Sequence, residues 1–580
     1  MNLPSHTAGD ALPRRVALAY GESSSGTQGT ARTRRLLTRL PERRERCDPD
    51  LTPDVAAFPV ARVVAMTYRG RLMKALYIAA IVCGSVAANA ASSDPAHSHP
   101  TPEKLGTVHF ETSCAAVVQS QFERAVALLH SFAYEAAVKA FGAIAAQDAG
   151  CAIAHWGVAM SVFHQLWSPP GASELQLGRE ELLAARRIDA HTDRERALID
   201  AAAVYFSDME PAHHAVRARE YERAMESVAQ RFPSDDEVQV FYALALIATA
   251  PPTDRSHANQ KRAAAILEPI YRREPDHPGV AHYLIHAYDS AELAPLGLPV
   301  ARAYAKIAPS APHALHMPSH IFTRLGLWDD SIASNEAARR AAHEQGDVGE
   351  ELHAMDYLTY AYLQRGREAD AERIVEQLRA TGPLAAENFA VGYAATAMPV
   401  RLAVERGRWS DALSLAPLPD SAPQVAAIAY WARALAYAHT GRPGLADAEV
   451  AKLDACEARA RARGDDYWPT QIDVLSREAR AWSTNATGHP DDAVAMLRAA
   501  ADSEDAVEKL SVTPGPIVPA REQLGRLLLD LHRSSEALRE LTQALKDAPG
   551  RRAALEAAVR AADSAGDPAA AAAFRKLLAS

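Results

Sequence analysis

Two histidine pairs carry the most specific chemistry in this sequence. His282 with His286 and His316 with His320 are spaced i, i+4, so on a helix each pair presents both rings to one side. Two such pairs on neighbouring helices can converge on one point. Neutral imidazoles near a carboxylate are good ligands for Zn²⁺, Cu²⁺, Ni²⁺ or Fe²⁺, which would make the protein a metal-dependent enzyme or a metal-binding protein with its site at 282–360. Asp289 and Asp356 are the carboxylates at hand, as ligands or as partners that fix an imidazole tautomer. At an ordinary imidazole pKa of ~6.5 such a site should weaken below about pH 6. The HxxxH spacing lacks the glutamate of HExxH, so the zinc-protease motif is not implied. Two other readings use the same residues. One is a polar pocket for a small or anionic ligand, with His313, His353, Tyr360, Arg324 and Arg401 lining it. The other is a structural hydrogen-bond network. The sequence has no glycine-rich phosphate loop before a helix, no GxSxG and no paired CxxC. His109, His130, His155 and His164 are weaker candidates, and His155-Trp156-Gly157 reads as core packing. The proline-stiffened loop Thr513 to Pro519 precedes Glu522, which should face the same side.

The elements that position these residues are helices. The chain has 580 residues, is 48% hydrophobic and only 6% aromatic, and is rich in alanine, the strongest helix former. Turns recur at Gly326, Gly366, Gly407, Gly441, Gly488 and Gly566, and in the same outline at Ser131 and His532 without the glycine. Glycine accepts the left-handed conformation at a helix end. A small residue five positions later lets the next helix lie close. Gly407 to Gly441, His532 to Gly566 and Pro275 to Pro309 are each 34 residues apart. Pro309, Pro383 and Pro549 should stop the second helix of their units. Tyr288, Phe322, Tyr362 and Tyr437 recur as aromatic wedges. The expected fold class is all-α.

These turns and this period resemble the tetratricopeptide repeat, a 34-residue helix–turn–helix unit. The resemblance covers most of residues 118–580, in about eleven or twelve helix pairs, and is weakest around 160–220, where Trp167 to Gly171 marks a longer loop. It implies an α-solenoid, a right-handed superhelix with a concave inner groove, closed by an alanine-rich last helix as its cap. It also implies a scaffold that binds a protein or peptide in that groove, which is the first reading of function. In such units the groove-facing residues fall about 13, 10 and 6 positions before the turn residue. For the units turning at Glu292, Gly326 and Gly366 these are Gly279, His282 and His286, then His313, His316 and His320, then His353, Asp356 and Tyr360. Six of nine are histidine, against 22 in the whole chain. The next unit has Ala394, Ala397 and Arg401. Pro318 disturbs this register, because a helix starting there would leave His313 and His316 on a loop.

Charge and processing signals complete the reading. Residues 91–580 hold 49 basic against 65 acidic residues, within a net charge of −10 for the chain, which argues against a nucleic-acid partner. Residues 66–90 have the basic, apolar and Ala88-Asn89-Ala90 segments of a secretory signal, so a periplasmic or secreted protein without a membrane span is expected. Residues 1–65 read as a disordered leader or as the product of a start assigned too early, and 91–117 as a tether. Cys114 and Cys151 can pair in an oxidising compartment or remain buried thiols, with Cys456 left over. Sequencing the N-terminus of exported protein should give Ala-Ser-Ser-Asp, from Ala91. Recovery of residues 1–65 on a cytoplasmic form would contradict that assignment.

Overall fold

A computed structural model of the protein describes residues 103–579 except 167–168, 386–387, 465–466 and 511. The leader, the signal segment and residues 91–102 lie outside the described residues, as do the first two residues of the Trp167 loop. The described residues form 25 α-helices and two 3₁₀ turns with no strand. Antiparallel helix pairs stack in sequence order into an all-α solenoid, each pair packing on the one before it.

The turn chemistry is what the sequence indicates. Gly326, Gly366, Gly407, Gly441, Gly488 and Gly566 all have left-handed backbone. The residue five later, Ser331, Ala371, Ala412, Ala446, Ala493 and Ala571, is fully buried in every case. At the turn without glycine near Ser131, the left-handed residue is Phe132 (φ 54°) and the buried small residue is Ala137, one position later than expected. The helices before Pro309, Pro383 and Pro549 end at Ile307, Ala380 and Asp547.

Pro318 interrupts its helix without ending it. Helices Pro312–His316 and Pro318–Arg324 are joined by Met317 in helical conformation (φ −52°, ψ −36°). His313 and His316 are therefore helical, not on a loop. Residues 103–117, expected as part of a tether, are docked. Leu105, Val108 and Phe110 are buried, the Phe110 ring packs at a tilt against Phe122 and Trp156, and the Lys104 N–H donates to Ser310 Oγ at 2.8 Å. Cys114 and Cys151 form a disulfide, and Cys456 is a buried thiol.

The inner face is closed by the chain itself. The Trp328 indole N–H donates to Gly550 O at 3.0 Å, Arg551 to the Tyr360 hydroxyl at 3.1 Å, and the Arg552 N–H to Gln364 at 3.0 Å. The Glu508 N–H donates to Pro252 O at 2.7 Å. Segments around 508 and 550 thus lie against units some 200 residues earlier. These later segments line the groove expected over residues 282–360, beside a cavity that Arg324 and Tyr360 reach.

The seam makes a prediction. A Cβ on Gly326 would stand 2.6 Å from Pro549 O, whereas one on Gly441 meets nothing within 4 Å. Both alanine variants lose left-handed freedom, ~1–2 kcal/mol. Gly326→Ala must also displace the 549–550 backbone, so it should cost ~2–4 kcal/mol in urea unfolding. Equal losses in the two variants would contradict a seam at this position.

Candidate metal centre

Helix Pro278–Tyr288 carries His282 and His286, the broken helix 312–324 carries His313, His316 and His320, and helix Val348–Gln364 carries His353. Stacking these first helices of successive units puts all six rings side by side. They are not solvent-facing, as a groove would make them. None is more than 7% exposed, and His282 and His316 are fully buried. The rings form two triads, His282/His286/His313 and His316/His320/His353. Within each, one ring nitrogen per residue lies within 4.8 Å of the others. The triads adjoin, with His286 and His320 ring centroids 5.9 Å apart and His313 and His316 also 5.9 Å apart.

Outer hydrogen bonds fix the tautomers. His282 Nδ1–H donates to His130 O at 2.7 Å, and His320 Nδ1–H to Asp289 Oδ2 at 2.9 Å. His316 Nδ1–H donates to Asn335 Oδ1 at 2.6 Å, and the Asn335 amide is oriented by its own donation to Ser331 O at 2.8 Å. His313 Nδ1–H donates to the Glu350 carboxylate at 3.1 Å. In these four rings Nε2 is consequently the lone-pair nitrogen. His316 Nε2 and His320 Nε2 face one another at 2.9 Å, two acceptors in contact. His282 Nε2 and His286 Nε2 are 3.0 Å apart, and His286 Nδ1 makes no hydrogen bond although it is buried. His286 can donate its Nε2–H to His282 Nε2 as an ordinary hydrogen bond, whereas the His316/His320 contact needs a shared proton or a bound cation to be favourable. Ligand nitrogens ~2.0–2.1 Å from one metal ion are about 3–3.5 Å apart, so a small outward rotation of these rings would accommodate an ion.

Protonation is the weaker alternative. Burial, followed by the neighbouring imidazoles, holds His282, His286, His316 and His353 well below the ordinary 6.5. Burial lowers His320 as well, against the opposing pull of Asp289. The neutral, ligand-ready form is therefore favoured.

Asp289 is the electrostatic centre of the outer layer. Its Oδ1 accepts from Arg324 Nε at 2.9 Å, and its Oδ2 accepts from His320 and from Lys509 Nζ at 3.0 Å. Burial alone would raise its pKa, but Lys509 and Arg324 override burial and keep the carboxyl well below 3.8. Burial lowers the Lys509 amine to about 8 in spite of Asp289. Arg324 also pairs with Glu508 at 2.6 Å. On the far side of this layer is a cavity of about 150 Å³, lined by Arg324, Lys509, Tyr360, Tyr393, Trp468 and Glu504 among others.

The structure separates some residues that the sequence groups together. Asp289 is an outer partner of His320. Asp356 does not join the histidines: it is buried and accepts from Arg401 Nε at 3.0 Å. Arg401 is fully buried and donates its other N–H groups to Gly515 O and Pro516 O, locking the proline loop in place. Tyr360 receives Arg551, whose Nε also pairs with Glu522 at 2.7 Å. Arg324 and Tyr360 reach the cavity wall, while Arg401 is committed elsewhere. His130, one of the weaker candidates in the sequence, belongs to a third buried cluster in which Glu237 bridges His130 at 2.9 Å and His277 at 3.0 Å. Lys509, Glu508, Glu350, Asn335 and Glu237 were not identifiable as site residues. Each comes from outside the repeat positions used to find the groove.

The helix pairs, left-handed turns and buried small residues define a tetratricopeptide-like helical repeat array. No protein-family model matches the chain, and no curated protein does. Among solved structures, similarity is found to the human IFIT1 dimer with m7Gppp-AAAA, at 12% identity and a TM-score of 0.31, over 74% of this chain and 89% of that one. It is also found to the P58(IPK) TPR domain, at 13% identity and a TM-score of 0.21, over 78% of this chain and 99% of that one. At these scores the likeness says nothing about what this chain binds.

Two consequences can be measured on metal-free protein. Asp289→Asn leaves Lys509 and Arg324 buried without their carboxylate and should cost ~3–5 kcal/mol at pH 7. The five histidines with lowered pKa stay neutral in the folded state while the unfolded chain gains protons as pH falls through 6.5. Their stability contribution is thus full above pH 6.5 and declines below it. Glu504 is pushed up to about 8, chiefly by burial, so its contribution runs the other way and is lost as pH rises through about 8. Urea unfolding against pH should show an acid limb beginning near pH 6.5. A flat profile from pH 7 to pH 5 would contradict the burial of neutral imidazoles.

Proposed function

We propose that this protein binds a first-row transition metal at the buried histidine face of residues 282–353, within its helical repeat scaffold. The observation that carries the reading is the contact between His316 Nε2 and His320 Nε2 at 2.9 Å, with both Nδ1–H groups already committed to Asn335 and Asp289. A network built only for stability would pair each acceptor with a donor. Here the outer shell is satisfied and the Nε2 lone pairs of His316 and His320 point inward, with the Tyr357 hydroxyl 3.4 Å from His320 Nε2, an arrangement that suits a cation. The donors are imidazoles alone, the ligand type that suits Zn, Cu, Fe and Ni.

Export to an oxidising compartment is part of the proposal, supported by the signal-like segment at 66–90 and by the Cys114–Cys151 disulfide. The acidic charge of residues 91–580 argues against a nucleic-acid partner.

Calorimetric titration of metal-free protein with Cu²⁺ and Zn²⁺ tests the reading. Wild type should bind below micromolar concentration, and the double change His316→Gln with His320→Gln should weaken binding at least 100-fold. Because burial holds these imidazoles down, affinity should persist at pH 6 and fall only in more acid solution, in contrast to the onset below about pH 6 expected of exposed rings. Glutamine is chosen because these rings are buried, so truncation to alanine would also leave cavities. A wild type that binds neither metal at micromolar concentration overturns the proposal.

A further inference from the structure

The histidine face holds more imidazoles than one ion needs. Three nitrogen ligands complete a site that keeps one position open, and the six rings divide into two sets of three. The division has a structural basis. His282 and His286 meet through their Nε2 atoms, as do His316 and His320. His313 stands beside His282, with centroids 5.0 Å apart, and His353 beside His316, at 4.2 Å. Each set therefore consists of an i, i+4 pair plus one ring from the following unit. The repeat has generated the same arrangement twice, one unit apart.

The charge around the face bears on which ion it takes. No carboxylate lies in either triad. The carboxylates of the outer layer are Asp289, Glu508, Glu350 and Asp356. The cations are Lys509, Arg324, Arg401 and Arg255, the last paired with Glu508 at 2.8 Å. Arg255 is half-exposed, so three buried cations face four carboxylates, and the protein supplies little surplus negative charge for ions placed inside. Two divalent ions would bring four positive charges into a desolvated interior, where each unpaired charge is costly. Monovalent ions halve that load. Among metals suited to imidazole, copper is the one with a stable monovalent state.

We propose that the two triads form a pair of adjoining copper sites, His282/His286/His313 and His316/His320/His353, each loaded with one copper(I) ion. This rests on the metal-binding reading above and goes beyond it in the number and identity of the ions. Loading requires no change of fold. Each set of nitrogens already lies within 4.8 Å, against ~3–3.5 Å for three ligands on one ion, so ring rotations of less than 1 Å close the site.

The test is an anaerobic titration of the full, metal-free chain with copper(I) supplied as its acetonitrile complex against a chromogenic copper(I) chelator, with Zn²⁺ as the competitor. Wild type should take up two copper ions per chain, and an equal concentration of Zn²⁺ should displace less than a tenth of them. His286→Gln should bind one, His353→Gln should bind one, and the combined variant none. His313→Gln and His320→Gln serve as the second variant for each triad should a first one fail to fold, judged by far-ultraviolet dichroism. One ion in wild type with none in either single variant means a single shared site and overturns the pair. Two zinc ions taken in preference to copper overturn the assignment to copper(I). No metal of either kind is a different failure, that of the metal reading itself.

Discussion

The structure depends on the closure of the solenoid's inner face. Segments near 508 and 550 fold back onto units 200 residues earlier and exclude water from a surface that open helical repeats leave wet. Once that face is dry, each polar atom on it needs a partner, and the arrangement of histidines, carboxylates and cations follows from that requirement. Asp289 satisfies three donors at once. Arg401 ties Asp356 to the loop carbonyls of Gly515 and Pro516, and Arg551 ties Glu522 to Tyr360.

Closure also gives the histidines their chemistry. The same six rings on an open groove would be half-solvated, protonated in mild acid and free to rotate. Buried, they are neutral, and Asn335, Asp289, Glu350 and the His130 carbonyl hold four of them with Nδ1–H outward and Nε2 inward. Outer bonds of this kind orient ligands before the metal arrives. The low dielectric that makes an unpaired acceptor costly also strengthens its attraction for a cation.

Much of this was legible in the sequence, for local reasons. The turn glycines and the small residues five positions on are fixed by backbone geometry and close packing within one unit, so Gly326 with Ser331 and Gly366 with Ala371 could be read directly. The histidine face was legible because the repeat rule converts sequence position into a side of the stack. What escaped depends on contacts between distant units. Lys509 and Glu508 are unremarkable charges until they meet Asp289 and Arg324, and Asp356 looked like a ligand until Arg401 took it. Phe132 occupies a left-handed position that favours glycine, so the first turn was placed one residue early. Pro318 was read as a break, but Met317 keeps helical angles and carries the helix past it.

Anomalous diffraction from crystals of copper-soaked protein, at the copper absorption edge, locates the ions directly. The account predicts one peak at coordination distance from the Nε2 atoms of His316 and His320, with His353 turned toward it, and a second between His282, His286 and His313. Peaks only at surface histidines, with water between the buried rings, would contradict it.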